Sequence, residues 1–354
     1  MTSPELSLLR LVSQALAGPR LADPAATVAY LGAVQAQDLP GAMTSVAIRS
    51  ETRDCQDVAD AFAQGLVVRS WPLRGTLHLV PAADLGWMLS LTADRMISAA
   101  AHRRARLGIS DELIDQARDV ALTALAGGVA LTRSELFALW QAADLLPQPQ
   151  AGGHLLALLC QQSTLVLGPL ASAEQLVVGY AEWIRNPRQL DPDTALAELT
   201  RRFLHSHGPA TAAELSRWSS LPLTQARRGF ALVAAEFAGY TVDSTQYLMA
   251  PDLPERLAEY RAQAKQVLLL PGFDEFMLGY ADRTFAVPDT HLDRIVPGNN
   301  GMFRPTIIED GEVIGVWKRA GSKARPRFEP EPFAPLSPRT AAAAQAVFTA
   351  LPRP

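Results

Sequence analysis

Residues 28–50 read VAYLGAVQAQDLPGAMTSVAIRS, and the centre of this stretch holds two amides one residue apart, Gln35 and Gln37. On an intact helix, residues two apart point to nearly opposite sides, so the two amides could not line one cleft. In an extended chain, by contrast, alternate residues share a face. The geometry of the pair therefore depends on where the preceding helix ends.

The residues on either side of the pair mark the two ends of that helix. Asp23 and Pro24 combine a capping acid with a proline at the first helical position, which predicts a helix start. Pro40 disfavours helical geometry at the residue before it, so we expect the helix to span residues 24–37. Both amides can then project into one site.

Composition places the chain among ordinary globular proteins. It has 354 residues, of which 48% are hydrophobic and 19% are charged, and its length suggests two to four domains. The net charge of −4 gives no bulk attraction to nucleic acid, yet arginine supplies nearly all the positive charge. Runs at residues 102–106 and 318–327 form basic patches suited to phosphate, with a solvated face as the alternative.

Several classes of protein are excluded by simpler features. Cys55 and Cys160 fit no metal-ligand spacing and predict reduced, buried or near-surface thiols. We expect no metal and no cofactor. The start of the chain lacks a signal pattern, and no apolar run reaches the roughly 18 residues of a membrane span, so we expect a cytoplasmic protein.

The order of the predicted elements repeats three times along the chain. Each round has three helices and then a two-stranded ribbon, the winged form of the helix-turn-helix. Capping boxes at Thr132 and Thr211, each with a glutamate three residues on, predict two of the helix starts. Three tandem winged helices are expected, spanning residues 1–81, 82–190 (beginning with a long connector helix) and 191–262.

The last part of the chain, residues 263–354, has a different texture. Apolar pairs flank Glu309-Asp310-Gly311, which is a hairpin signal. The proline-rich residues 326–338 are expected to form a surface linker, and an alanine-rich helix closes the chain. The predicted fold class is therefore α+β and mainly α, with three winged helices and a small antiparallel, barrel-like β unit.

Candidate DNA contacts are basic and amide side chains on the ribbons, the connector and the C-terminal loops. They are Arg69, Arg74, His78, Arg104, Asn299, Asn300, Arg304, Lys318 and Arg319. For the ribbon residues, packing of the wing is an equal alternative, and a tight turn is the alternative for the two asparagines.

Three carboxylates lie in segments where they invite a catalytic interpretation. Asp38 adjoins the glutamine pair, and we prefer a role in capping the turn that follows it. Asp274 and Glu275 are expected to precede a strand, where they could serve as a metal site or general acid. We expect them instead to hold arginines such as Arg283 in place.

Five segments together resemble the AlkZ-type DNA glycosylases, a family of helix-turn-helix-42 type. These segments are PRLADPAATVAYLGAVQAQDLPGA, LRGTLHLVPAADLGWML, SHGPATAAELSRWS, LLPGFDEFMLGYADR and PGNNGMFRPTIIEDGEVIGVWKR. Gln37 places the chain in the Gln-x-Gln group, because related YcaQ-type proteins carry an aspartate there. The resemblance implies excision of N7-alkylated purines from double-stranded DNA, unhooking of interstrand crosslinks, and Gln35 and Gln37 as the catalytic pair.

Two other classes of function stay open at this stage. A winged-helix regulator would bind DNA without catalysis, and a resistance protein could sequester a DNA-reactive toxin without turnover. Regulators commonly dimerise on palindromic sites, whereas three winged helices in one chain suit a monomer on one duplex.

Overall fold

Helices predominate in the computed structural model, which describes residues 4–172, 174–242, 244–322 and 324–353. The α-helices are α1 (Pro4–Ser13), α2 (Pro24–Leu31), α3 (Leu39–Ala47), α4 (Cys55–Ala63), α5 (Leu85–Arg106), α6 (Asp111–Leu125), α7 (Arg133–Ala142), α8 (Ala151–Gln161), α9 (Tyr180–Trp183), α10 (Pro192–His207), α11 (Ala212–Ser219), α12 (Leu223–Val233), α13 (Leu253–Ala264), α14 (Glu275–Leu278), α15 (Leu292–Ile295) and α16 (Pro338–Thr349).

The strands are short and pair mainly as hairpins. They are β1 (Val34–Gln35), β2 (Val67–Leu73), β3 (Thr76–Pro81), β4 (Leu165–Ala171), β5 (Glu174–Gly179), β6 (Ala238–Val242), β7 (Thr245–Met249), β8 (Leu268–Leu270), β9 (Thr306–Glu309), β10 (Glu312–Ser322) and β11 (Arg325–Pro332). Contacts divide the chain into two compact units. Unit 1 comprises the described parts of residues 1–58 and 197–354, and unit 2 comprises residues 59–196.

Unit 1 is built around an apolar core beneath a four-stranded sheet. The sheet is antiparallel in the order β11-β10-β9-β8, and β6 and β7 form a separate ribbon. Leucines of α1 and α13 lie in this core with Phe276, Tyr280 and Val316. Trp317 packs edge-on against Phe348 of α16, which closes the other side of the sheet.

Unit 2 packs its helices against an antiparallel sheet with β3, β2, β4 and β5 in that order. Trp140 is fully buried among α6, α7 and α8, and its indole N–H donates to the carbonyl of Ala117 at 2.9 Å. Thr132 forms the expected capping box with Glu135 at the start of α7. This unit is held together by apolar burial in the ordinary way.

The fold class predicted from the sequence is confirmed. Helices followed by a ribbon recur as α1 to β3, α6 to β5 and α10 to β7, and the antiparallel sheet follows at the C-terminus. The first round has one helix more than expected, α3. Within the described ladders the C-terminal strands form a single row, so a sheet takes the place of the barrel-like unit. The division into four domains stays a prediction, and contacts group the chain differently, into two compact units.

Two local predictions are wrong. The helix expected over residues 24–37 ends at Leu31, and α3 begins at Leu39, where no helix was expected. The expected proline-rich linker instead contains β11, which pairs with β10 from Gly315↔Pro332 to Ser322↔Arg325. Lys323, in the basic run at residues 318–327, lies outside the described residues.

Both cysteines are buried free thiols, as expected. Burial is the main cause that raises the pKa of Cys55 to about 11, and burial also raises the pKa of Cys160. Among the described residues, no helix is long and apolar enough to cross a membrane.

Candidate active site

The glutamine pair lies on a short connection between two helices of unit 1. Helix α2 stops because Gly32 adopts a φ of 79°, and the Gly32 N–H closes the last turn on the carbonyl of Val28 at 3.0 Å. The strand β1 follows, and α3 starts two residues after Gln37 with Pro40 in its first turn. Both glutamines are therefore outside a helix, although the break lies earlier than Pro40.

The two amides differ in their exposure. Gln35 lies in β1 and is only 5% exposed, whereas Gln37 is exposed. Ala36 between them is fully buried. One side chain of the pair is thus held in the protein interior, and the other reaches solvent.

Asp38 occupies the N-cap position of α3, but its carboxylate makes no capping hydrogen bond. It folds instead over Gly41, where an added Cβ would lie 2.6 Å from Oδ2 of Asp38. The backbone of Asp38 does belong to the helix, since its carbonyl accepts the N–H of Ala42 at 2.9 Å. A carboxylate at this helix start also interacts favourably with the helix dipole.

Gln35 is tied to a distant part of the chain through its backbone. Its N–H donates to Oε1 of Glu275 at 3.0 Å, although 240 positions separate the two residues. Glu275 begins the short helix α14 and is completely buried. Asp274 and Glu275 were expected to precede a strand. They lie instead at the start of the helical turn α14, which supports the connection that carries the two glutamines.

Asp274 anchors the same turn to α3. Arg49 binds it with two hydrogen bonds, Nη1 to Oδ2 at 2.8 Å and Nη2 to Oδ1 at 2.9 Å, and the Ser45 hydroxyl donates to Oδ2 at 2.6 Å. The prediction that this acid holds an arginine is confirmed, but the arginine is Arg49. Arg283, named from the sequence, donates to the carbonyl of Met277.

A chain of buried hydrogen bonds continues from this ion pair. Arg49 donates to the amide oxygen of Gln14 at 3.1 Å, and Gln14 donates to the hydroxyl of Tyr280 at 3.2 Å. The Tyr280 hydroxyl in turn donates to the carbonyl of His207 at 2.9 Å. Such a satisfied network rigidifies its surroundings. The buried residues that it joins are therefore held in fixed positions.

The predicted contacts on the first ribbon are partly engaged within unit 2. His78 is completely buried, and its ring nitrogens bond the carbonyl of Thr76 at 2.8 Å and the guanidinium of Arg74 at 3.0 Å. Arg69 is half-buried and lies 3.4 Å from the amide oxygen of Gln175. DNA contact by these side chains stays a prediction.

Arg104 lies at the basic end of α5, also in unit 2. Burial lowers the pKa of Arg104, and neighbouring Arg103 donates a hydrogen bond to the side chain of Gln150. The side chain of Arg104 is half-buried, whereas Arg103 and Arg106 are exposed. This helix end is a compact basic patch.

The remaining predicted contacts lie in the C-terminal part of unit 1. Asn299 and Asn300 are exposed in a turn where Asn299 has a φ of 50°. Lys318 and Arg304 both pair with Glu331 and lower the pKa of its carboxyl to about 2. These two cations would have to leave Glu331 to reach a phosphate.

Arg319 is the other predicted basic contact on β10. Its side chain is exposed, and its guanidinium lies 5.8 Å from the ring centroid of Phe348. Burial and the nearby charge of Arg353 lower its pKa. Arg319 and Arg353 therefore lie near each other, and two neighbouring arginines favour the binding of an anion.

The sequence analysis did not connect three residues with the glutamine pair. Glu275 was weighed as a metal site or general acid and then as a partner for arginine, and His207 and Trp218 were named only as part of the segment SHGPATAAELSRWS. Their contacts join positions far apart in the chain, which no local motif reports. In the part of the chain that is described, no group of histidines, cysteines and acids could hold a metal ion.

Comparison with known proteins gives a consistent result. The family model described as AlkZ-like DNA glycosylase matches residues 28–353. An interstrand DNA cross-link repair glycosylase of Streptomyces sahachiroi is 28% identical over 307 residues, covering 82% of this chain and 81% of that protein. The solved structure of the DNA glycosylase AlkZ from the same organism has a TM-score of 0.79 at 23% identity. That alignment covers 100% of this chain and 98% of the other.

The matched family and the relative define a class of enzymes that act on DNA. The chain belongs to the AlkZ-like DNA glycosylase family. The regulator without catalysis and the toxin-binding protein are therefore set aside in favour of a glycosylase, and DNA is its substrate.

Proposed function

We propose that this DNA glycosylase hydrolyses the N-glycosidic bond of N7-alkylated purines in duplex DNA, with Gln35 and Gln37 as its catalytic pair. The observation that carries the proposal is the unequal exposure of the pair on one short connection. An exposed amide can meet a nucleotide, while its buried neighbour is held by the scaffold.

The chemistry suits uncharged side chains. Ordinary glycoside hydrolysis uses two carboxyl groups, one of which protonates the leaving group. A purine alkylated at N7 already carries a positive charge, so its departure needs little protonation. An amide oxygen can accept a hydrogen bond from an attacking water, and the amide nitrogen can donate to sugar or phosphate. Orienting one water in this way supplies much of the remaining rate enhancement.

The proposed enzyme is monofunctional. A lyase step through a Schiff base would need an amine, and the chain has lysines only at positions 265, 318 and 323. Lys265 pairs with Asp310 and Lys318 pairs with Glu331. Water is therefore the proposed nucleophile, and an abasic site is the product.

We extend the proposed function to crosslinked DNA and to resistance of the cell against DNA-alkylating compounds. The Streptomyces sahachiroi relative is named as an interstrand cross-link repair glycosylase. We propose that this chain likewise opens crosslinks joined through N7-alkylated purines, and so gives resistance to DNA-alkylating natural products. It would act as a monomer, since one chain carries all three winged helices.

A single-turnover assay tests the role of the pair. The enzyme, in excess, is mixed with a duplex that carries one 7-methylguanine or one N7-linked crosslink, and mild alkali then cleaves the abasic product. Gln37→Ala should lower the rate of base release by about 10²-fold or more, because it removes a positioned polar group. The fold should be unchanged, since Gln37 is exposed.

Gln345→Ala is the matched control, because it removes an exposed amide from α16 in the same unit. It should release base at the wild-type rate. Wild-type activity in both Gln37→Ala and Gln35→Ala would contradict the proposed catalytic pair. Release of 7-methylguanine without opening of the crosslink would restrict the function to monoadducts.

A further inference from the structure

The loop of residues 297–303 in unit 1 presents an apolar side chain to solvent. Met302 is 57% exposed, which is the highest fraction for a large apolar side chain in the part of the chain that the structure describes. A Cβ added to Gly298 or Gly301 would meet no atom within 4 Å, so this turn projects from the body of the unit. Apolar surface in such a position is suited to burial against a partner.

The turn around Met302 has a defined backbone. The side-chain oxygen of Asn300 accepts the N–H of Met302 at 2.8 Å, and Oδ1 of Asp293 accepts the N–H of Gly298 at 2.7 Å. Gly298 and Gly301 have φ angles of 58° and 78°, which glycine adopts without strain. The sequence of the loop thus holds its apolar tip in one place.

The two residues after the tip attach the loop to the core of unit 1. Phe303 is half-buried and packs against this core, with its ring centroid 6.2 Å from that of Phe273. The guanidinium of Arg283 lies 4.8 Å from the centroid of the same ring. The N–H of Arg304 donates to the carbonyl of the fully buried Ile295 at 2.9 Å. The loop is therefore an exposed tip on a packed base.

That base lies beside the helix that follows the glutamine pair. A Cβ added to Gly272 would lie 2.8 Å from the carbonyl oxygen of Phe303, and a Cβ added to Gly41 would lie 3.4 Å from the carbonyl oxygen of Gly272. Gly41 is in the first turn of α3, four residues after Gln37. Two close backbone approaches thus connect the base of the loop with the start of α3.

An exposed methionine in this place fits a requirement of chemistry on duplex DNA. A base inside the stack is out of reach for an enzyme, so the target nucleotide has to leave its stacked position. Proteins that separate base steps insert apolar side chains between them, and methionine is among the side chains used. Its unbranched, flexible side chain can fill an irregular gap.

We infer that Met302 is a positioning residue that enters the base stack beside the damaged nucleotide and unstacks it, which brings its N-glycosidic bond to the glutamine pair. This inference rests on the proposed function of that pair. Met302 contacts a neighbouring base and none of the reacting atoms. Its contribution is the free energy of unstacking, which is largest when the damaged base is paired.

Base release from two duplexes tests this contribution. In one duplex 7-methylguanine stands opposite cytosine, and in the other it stands opposite a tetrahydrofuran abasic analogue, so that it is already unpaired. Under single-turnover conditions Met302→Ala should slow release from the paired duplex at least about tenfold, and from the unpaired duplex by less than about threefold. Met302→Leu should restore most of the rate on the paired duplex, because leucine is also an inserting side chain.

Fluorescence of 2-aminopurine detects the insertion without base release. The fluorophore is placed next to a 2′-fluoro-7-methylguanine nucleotide, which resists cleavage, and it brightens when it is unstacked. Saturating wild-type enzyme should brighten it, whereas Met302→Ala should leave it dim at the same fraction of bound DNA. The melting temperature of this variant should be unchanged, since the side chain is exposed.

Leu122→Ala is the matched control, because it removes an apolar side chain that is 42% exposed, from α6. It should behave as the wild type in both assays. The inference would be overturned by a Met302→Ala variant that keeps the wild-type rate on the paired duplex, that slows release equally on both duplexes, or that brightens 2-aminopurine as the wild type does. A wild-type enzyme that releases no base would overturn the proposed function, while brightening lost in Met302→Ala would still support insertion beside the lesion.

Discussion

Asp274 and Glu275 are consecutive residues whose carboxylates bind different kinds of partner. Asp274 binds the guanidinium of Arg49, whereas Glu275 accepts the backbone N–H of Gln35 and the indole N–H of Trp218. A single turn of chain thus joins a structural ion pair to the proposed active site. The structural role of Asp274 can be tested by neutralising its carboxylate.

Asp274→Asn should be strongly destabilising. It leaves the guanidinium of Arg49, which is itself fully buried, without a charged partner, and breaking one side of a buried pair costs about 3–5 kcal/mol. Thermal or urea unfolding of the variant beside the wild type measures this loss. Stability unchanged within about 1 kcal/mol would show that the pair is replaceable by uncharged hydrogen bonds.

The rate of base release should be nearly flat between about pH 6 and pH 8, because neither catalytic amide titrates in that range. Single-turnover rates on the 7-methylguanine duplex, taken in buffers of equal ionic strength, test this. A steep sigmoid would mean that a titrating side chain takes part in the rate-limiting step. The uncharged pair alone would then not account for catalysis.

At the scale of single residues, the sequence identified some members of the candidate site and missed others. Gln35 and Gln37 were singled out by their spacing and by resemblance to a family, and the structure places both outside a helix. That both side chains project into one site stays a prediction. Glu275 could not be connected to them, because a hydrogen bond across 240 positions leaves no periodic trace in the sequence. Local patterns report neighbours in the chain, and this site is assembled from distant parts.

At the scale of elements, the region from α2 to α3 shows where turn residues mislead. Pro40 was interpreted as ending a helix, but proline is equally suited to the first turn of the next one. The break itself is made by Gly32, whose positive φ stops α2. Gly32 and Pro40 thus mark two helix boundaries instead of one, the end of α2 and the start of α3.

Gly32→Ala should destabilise unit 1 by about 1 kcal/mol or more, because an alanine at a φ of 79° is strained. There is room for the methyl group, since its closest contact would be Cη2 of Trp218 at 3.5 Å. Melting temperatures measure the effect. Gly239→Ala is the control, because a Cβ there would meet nothing within 4 Å. Equal stability of the two variants would contradict this account of the helix end.

Strand β11 is a second element in which prolines led to a wrong prediction. Its sequence RPRFEPEP resembles a linker, yet it pairs along β10 over eight positions. Proline is tolerated in a strand at the edge of a sheet, and β11 lies at the edge of its row. Composition alone could not distinguish an edge strand from an extended linker.

For the molecule as a whole, the predicted order of helices and ribbons is present, whereas their grouping into four domains stays a prediction. Three rounds of helices and ribbons are present, because capping residues and alternating apolar residues encode each round locally. The two compact units follow contacts between residues 1–58 and residues 197–354. Pairing over such distances depends on tertiary packing, which the order of elements does not specify.

DNA affinity should fall steeply with salt. The net charge is −4, so binding depends on local basic patches that displace counterions from phosphate. The dissociation constant for a duplex should rise at least about tenfold between roughly 50 and 200 mM salt. Arg104→Ala should reduce the slope of the log–log plot by about one contact. Salt-independent binding would contradict an electrostatic contact with the DNA backbone.

The two thiols bear on the survival of the enzyme itself. Soft electrophiles react with thiolates, and burial keeps both Cys55 and Cys160 protonated and out of reach. Under the proposed function the enzyme works while alkylating compounds are present, and a thiolate on its surface would itself be alkylated. Because both thiols lie in the interior, they are shielded from such compounds.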